Sequence, residues 1–312
     1  SACLREGEQK GEACIVLGQI YQIQGAFENA IKCFSKAIDE GKNDVEVRCL
    51  LCESLFEARY YDKALEKLEK LEEEAPGHEK TQLVLGKLFI ELNQLPKAVD
   101  SLKNAVRIHP GSAQLFYLLG LALARIERFE EAETALKRAI DLEPNTNPQS
   151  HYLLGKVLLN QGYALNAIES FKNSARIYPL AELYFPLARA YHLIQNYTTA
   201  KIIYEKALER PINKAIKHHI LFHQAEILLE EGEEEDRLKK KHILYKDAVK
   251  KLDRALALVP EFVAAKHLLA LLHIKMKNYD KSVVEFEKLA LTHAEFVSPK
   301  KYKNEDIFEI LN

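Results

Sequence analysis

The chain has little glycine and little proline, 12 and 10 among 312 residues. It also has no apolar run approaching the roughly 20 residues that a membrane-spanning helix needs. Scarce helix breakers fit a mostly helical chain with short connections. Charge of one sign is missing too: 44 basic residues face 46 acidic ones, a net charge of −2. That balance gives no general attraction to nucleic acid or to an anionic membrane, both of which need a concentrated basic surface. Cysteine is sparse and odd in number, confined to Cys3, Cys14, Cys33, Cys49 and Cys52. Such a set speaks for reduced thiols in an intracellular, cytoplasmic setting rather than a disulfide framework. No signal-peptide pattern opens the sequence. The first residue is Ser1 rather than methionine, consistent with a fragment of a longer polypeptide.

What is present is a repeat. Prolines 76, 110, 144 and 179 close helical runs at spacings of 34, 34 and 35 residues, and Pro260 closes another. A 34-slot frame starts at residues 11, 45, 79, 113, 148, 181, 218 and 263. Slots 7 and 8 then read Leu17-Gly18, Leu51-Cys52, Leu85-Gly86, Leu119-Gly120, Leu154-Gly155 and Leu187-Ala188. Slot 20 is small, from Ala30 through Ala132 to Ala200, and slot 24 is large, with Phe34, Leu68, Leu102, Leu136, Phe171 and Tyr204. Apolar residues at i, i+3, i+4 and i+7 in both halves predict two amphipathic helices per unit. The small slots let the two backbones approach, and the closing proline stops the second helix.

These residues resemble the tetratricopeptide repeat (TPR) family, whose repeats carry Leu-Gly, Ala, a large apolar residue, Ala and Pro at fixed offsets. The resemblance runs over residues 11–294 and implies an all-α fold, a right-handed TPR superhelix of about eight antiparallel helix pairs. Residues 1–10 stand as an N-terminal extension. Residues 295–312 form a tail leaving the pattern, with a short helix expected near 304–311 that caps the apolar end. Repeat seven carries about eleven extra residues around 230–246, acidic from Glu230 to Asp236 and then basic from Arg237 to Lys241. An extended helix pair with a solvated tip accounts for it; a projecting docking element is the sharper alternative.

Catalytic signatures are absent: there is no Gly-rich phosphate loop, no Gly-x-Ser-x-Gly and no His-Glu-x-x-His. Cys49 and Cys52 have metal-like spacing without a second pair, and Cys52 fills the small packing slot. His219, His223 and Glu226 share one helical face at i, i+4 and i+7, yet nothing nearby in sequence completes a metal site. No catalytic residue, cofactor or metal is therefore assigned.

Function then falls to surfaces. In the family the first helix of each pair lines a concave groove, and slots 2, 5, 9, 12 and 13 point into it. Those slots supply Lys80, Lys87, Tyr117, Leu121, Arg125, Tyr152, Lys156, Phe185, Arg189, His192, Phe222 and Glu226 as partner-binding residues. Glu46, Glu53 and Glu57 form an acidic entrance. Such a lining suits a protein or peptide with apolar anchors and acidic groups, since Tyr, Phe and Arg concentrate interface energy. The family's carboxylate clamp and its asparagine ladder find no match here, with Ile15 and Gln19 at the first clamp positions and Val16, Leu50 and Val84 at the ladder slot. The reading is a non-enzymatic interaction scaffold, a subunit of a multiprotein assembly, without membrane insertion. The alternatives are the recognition arm of a larger enzyme whose catalytic domain lies outside the chain, and an RNA-binding helical repeat.

Overall fold

The computed structural model describes residues 2–179, 181–209 and 214–292. The expected tail at 295–312 lies outside the described residues. All regular structure among them is helical, in two compact units, residues 1–145 and 146–312. The first unit holds α1 Ala2–Ile23, α2 Phe27–Asp39, α3 Val45–Glu57, α4 Tyr61–Glu74, α5 Glu79–Glu91, α6 Leu95–Ile108, α7 Ala113–Arg125 and α8 Phe129–Leu142. The second holds α9 Pro148–Asn160, α10 Ala164–Ile177, α11 Tyr184–Leu193, α12 Tyr197–Leu208, α13 Lys214–Glu234, α14 Leu238–Leu258, α15 Val263–Lys275 and α16 Tyr279–Thr292. A single 3-10 turn, Ala181–Leu183, precedes α11. Odd-numbered helices are the first members of each pair. The first helix, α1, begins at Ala2, ahead of the repeat frame that starts at Gly11.

The small-large pattern is the seam of each pair. A Cβ added to Gly120 would lie 2.6 Å from Leu136 Cγ and 3.4 Å from the Ala132 carbonyl oxygen. At Gly155 it would lie 2.5 Å from Phe171 Cε1, and at Gly86 2.6 Å from Leu102 Cδ2. The large slot-24 side chain thus lies directly over the small slot-8 backbone, while the slot-20 alanine brings its carbonyl alongside. Leu136, Phe171, Leu102, Ala132 and Ala139 are all fully buried. Each large side chain contributes about 1.5–3 kcal/mol through that burial.

The turn inside each pair has a second regularity. Gly25, Arg59, Asn93, Glu127, Gly162, Gln195 and Lys277 all have positive φ, between 54° and 87°. All seven occupy slot 15, where the chain turns left-handed to leave the first helix. The following amide then reaches back to the first helix, as Arg128 N does to Leu123 O at 3.0 Å and Tyr163 N to Leu158 O at 2.8 Å. Only two of the seven are glycine. The other five carry a left-handed backbone cost of about 1–2 kcal/mol each, offset by the packing that follows the turn. At helix starts, side-chain oxygens of Asp44, Asn147 and Asn196 accept from the amides of Val47, Ser150 and Thr199 at 2.9, 3.0 and 3.2 Å.

The extra residues of repeat seven lengthen both of its helices to 21 residues and leave only 235–237 between them. Gly232 admits the Tyr245 ring against its backbone. Glu235 fastens the link, accepting from Lys240 at 2.6 Å and from Arg237 Nε at 3.0 Å. These bonds, Lys240 foremost, hold its carboxyl down to about 2.

Candidate functional site

In the first unit the predicted lining comes from successive first helices, α3, α5 and α7. Tyr117, Leu121 and Arg125 are half-buried along one side of α7, and Lys87 and Glu53 are half-buried at the corresponding places of α5 and α3. The Arg125 guanidinium donates to the Ile90 carbonyl at 3.3 Å, which fastens α7 to the end of α5. Burial raises the Tyr117 phenol above its ordinary value, with Arg125 opposing the shift. Lys80 does not stand apart from the acidic entrance: its Nζ donates to Glu46 Oε2 at 2.6 Å, and both side chains are exposed. Lys80 thus neutralises one carboxylate of the acidic entrance, Glu46, across α3 and α5. Glu57 is exposed at the end of α3.

Both cysteines of the CLLC stretch are buried on α3, with Cys52 fully so. Burial pushes the Cys52 thiol up to about 12, which keeps it protonated and unreactive. Cys49 Sγ lies 3.1 Å from Thr81 Oγ1 on α5 and serves helix packing.

In the second unit the same slots end differently. Phe185 is 2% exposed, Lys156 6%, Phe222 7%, and Arg189 and His192 9% each. These five were expected to line an open groove; instead they pack between neighbouring helices. The Phe185 ring lies 6.2 Å from Tyr204 and 5.7 Å from His223, and Phe222 lies 5.2 Å from both His223 and Phe262. A phenyl ring finds more apolar contact between two helices than on a wet surface, so the larger slot-5 residues close the space. Tyr152 remains half-buried, tilted on Phe171 at 6.1 Å with Lys156 Nζ 5.6 Å from its ring centre. Glu226 is half-buried beside His223, their Oε2 and Nδ1 2.6 Å apart.

The two histidines that share a face of α13, His219 and His223, find different partners. His219 packs on His218 at 4.1 Å and edge-on to Phe262 at 4.9 Å. Burial, with the positive potentials of His218, His223 and Arg189, drives its pKa down to about 3. His223 is joined instead by His192 from α11, the two rings 6.2 Å apart. Burial lowers the His223 pKa, with Glu226 opposing. Sequence reasoning placed His192 in the groove and His223 with His219; it did not join His192 to His223. The only signal was their spacing of about one repeat.

A further concavity was not foreseen. A cavity of about 660 Å³ lies between α14 and the end of α15, lined in part by Leu238, Ile243, Tyr245 and Met276. Lys239, Lys241, Lys246 and Lys277 rim it, and Lys275 reaches it while paired with Glu233 at 2.6 Å. Leu238 is 81% exposed, an unusual position for leucine.

Successive antiparallel helix pairs joined by short turns define an α-solenoid of helical repeats. Family models agree. The tetratricopeptide repeat matches residues 83–147, 126–182 and 181–211, and the family described as anaphase-promoting complex, cyclosome, subunit 3 matches residues 23–105. The chain belongs to the tetratricopeptide repeat family, whose helix-pair stacks serve as protein-interaction scaffolds.

A search of the curated proteins returned no match. Among solved structures, an APC/C hetero-tetramer, Cut9-Hcn1, aligns with a TM-score of 0.60 at 16% identity, over 92% of this chain and 53% of that one. The chain thus spans about half the length of that relative. PilF of Pseudomonas aeruginosa aligns with a TM-score of 0.58 at 17% identity, over 64% of this chain and 91% of that one. A thermophilic TPR protein of Thermus thermophilus aligns at 0.51 and 24% identity, over 58% and 98%. At these identities the likeness is one of fold. No helix among the described residues is long and apolar enough to cross a membrane.

Proposed function

We propose that the chain is a non-catalytic scaffold that holds a partner protein or peptide on the first-helix face of its first unit, as a subunit of a multiprotein assembly. The observation that carries this reading is the row of half-buried side chains Glu53, Lys87, Tyr117, Leu121 and Arg125 on α3, α5 and α7. It combines an aromatic ring, an aliphatic side chain and charges of both signs within reach of solvent, the composition that binding surfaces concentrate. A segment with apolar anchors and carboxylates fits it, the anchors against Tyr117 and Leu121 and the carboxylates at Lys87 and Arg125. The similarity of residues 23–105 to a family named for a subunit of a large complex supports the assembly role.

One further observation favours a second contact. The cavity of the α14–α15 region brings exposed apolar side chains together with the cationic Lys239, Lys241, Lys246 and Lys277, a seat for an acidic segment bearing one apolar residue.

Lysine-directed crosslinking of the full-length protein, captured with its partner from its native source, tests both. Crosslinks from Lys80 and Lys87 are expected for the first surface, and from Lys239, Lys241 and Lys246 for the second. Crosslinks confined to second-helix lysines such as Lys103 and Lys137 would reject the first-helix assignment. Loss of partner capture in Leu121→Glu, with unchanged helical content, is the matching mutational result.

A further inference from the structure

Where α11 and α13 meet in the second unit, one ligand atom from each of His192, His223 and Glu226 lies within 4.8 Å of the other two. Among the described residues this is the single group of three His, Cys, Asp or Glu side chains so disposed. It is unlike an exposed acidic cluster in three respects. Two of its three members are imidazoles, the commonest metal ligands. They come from different helices and are oriented by neighbours: the His223 ring lies parallel to Tyr204 within 10°, and His192 stands edge-on to Tyr197. A second carboxylate, Glu230, has its Oε2 3.0 Å from His192 Nε2, the kind of partner by which ligating imidazoles are held in orientation.

An independent observation points to the same place. The Tyr204 side chain is fully buried, and its hydroxyl has no hydrogen-bond partner among the described residues. That hydroxyl lies within electrostatic reach of Glu226 and Arg189. An orphaned buried hydroxyl calls for a partner, and a water or other ligand on an ion held by the neighbouring side chains would supply one.

We propose that His192, His223 and Glu226 bind one divalent transition-metal ion, with zinc as the ion of matching chemistry. Imidazole nitrogen and carboxylate oxygen are both zinc donors at about 2.0–2.2 Å. Three protein ligands leave one coordination position for water or for a partner's side chain. Arg189 beside the cluster opposes a cation, but Glu226 and Glu230 together outweigh its charge, so a dication still meets net attraction. A bound ion would tie the sixth repeat to the seventh, beside the Ala188, Ile220 and Ile227 core that already joins them.

Calorimetric titration of chelator-treated full chain with zinc chloride tests the site, alongside titration with cobalt chloride followed by visible absorption. One equivalent of zinc is expected. His192→Gln and Glu226→Gln should weaken it by about tenfold or more, while His219→Gln, one turn earlier on α13 and packed on Phe262, should leave it unchanged. Cobalt should give ligand-field bands of a nitrogen–oxygen site that disappear in the same two variants. Absence of one-equivalent binding by the wild-type chain overturns the proposal whatever the variants do. So does a thiolate-to-cobalt charge-transfer band, or zinc binding that survives His192→Gln in a chain of unchanged circular dichroism.

Discussion

Tyr117 on α7 and Phe185 on α11 occupy the same slot of the repeat, yet Tyr117 stays half-buried while Phe185 is 2% exposed. The difference lies in what surrounds each ring. Beside Tyr117 on α7 stand Leu121 and Arg125, and the Arg125 guanidinium donates to the Ile90 carbonyl on α5. Around Phe185 stand Tyr204 and His223, and with Phe222 these rings form one packed cluster. One slot therefore stays partly open to solvent at Tyr117 and is closed at Phe185. A shared slot fixes where a side chain starts from, and the bulk of its neighbours decides whether a ligand can reach it.

The largest expected effect comes from truncating both rings. Phe185→Ala should destabilise the chain by about 3–5 kcal/mol, the range for a buried phenylalanine. Tyr117→Ala should cost well under half of that, because part of its ring is already in water. Urea unfolding of both variants checks the contrast, and equal losses would erase it.

Slot 2 contrasts His219 with Lys80. The folded-state pKa of His219 is about 3, against about 6.5 when unfolded. Below pH 6.5 the unfolded chain takes up a proton that the folded chain does not. Stability from this residue is therefore full above pH 6.5 and lost progressively as the pH falls toward 3, at up to about 1.4 kcal/mol per pH unit. His219→Gln should flatten that acid limb in a series of denaturant titrations; an unaltered slope would mean that His219 is not buried as described.

Slot 15 contrasts Glu127, at φ 60°, with Gly162, at φ 87°. Glu127→Gly should stabilise the chain by about 0.5–1 kcal/mol by removing the left-handed cost, and Gly162→Ala should destabilise it by a similar amount. Thermal unfolding of the pair tests both signs.

The smallest effect belongs to Lys80. Its pair with Glu46 is solvent-exposed on both sides, so Lys80→Gln should change stability by no more than a few tenths of a kcal/mol. That makes it a clean probe of partner binding.

The helix pairs, their order and the seam between them were legible in the sequence. A large residue over a small one recurs every 34 or 35 positions, as in Leu136 over Gly120, and only close-packed helices require that. The left-handed slot was not legible, because Arg59, Glu127, Gln195 and Lys277 carry no mark of positive φ. The lysine-rimmed cavity was also missed, since it joins residues of α14 to the end of α15, some thirty positions on. Ten of the fifteen candidate lining residues stay at least partly open to solvent, eight of them on α3, α5 and α7.

What the sequence by itself determined is the repeat: which residues are helical, which are small so that backbones approach, and where each pair ends. That information is local, set by spacing within about 34 residues. Which slots face solvent depends on volumes contributed by the neighbouring helices, and only the tertiary structure decided it. His192 beside His223, and Phe185 inside rather than out, follow from the packing of one helix against another, where ring size and burial outweigh position in the frame.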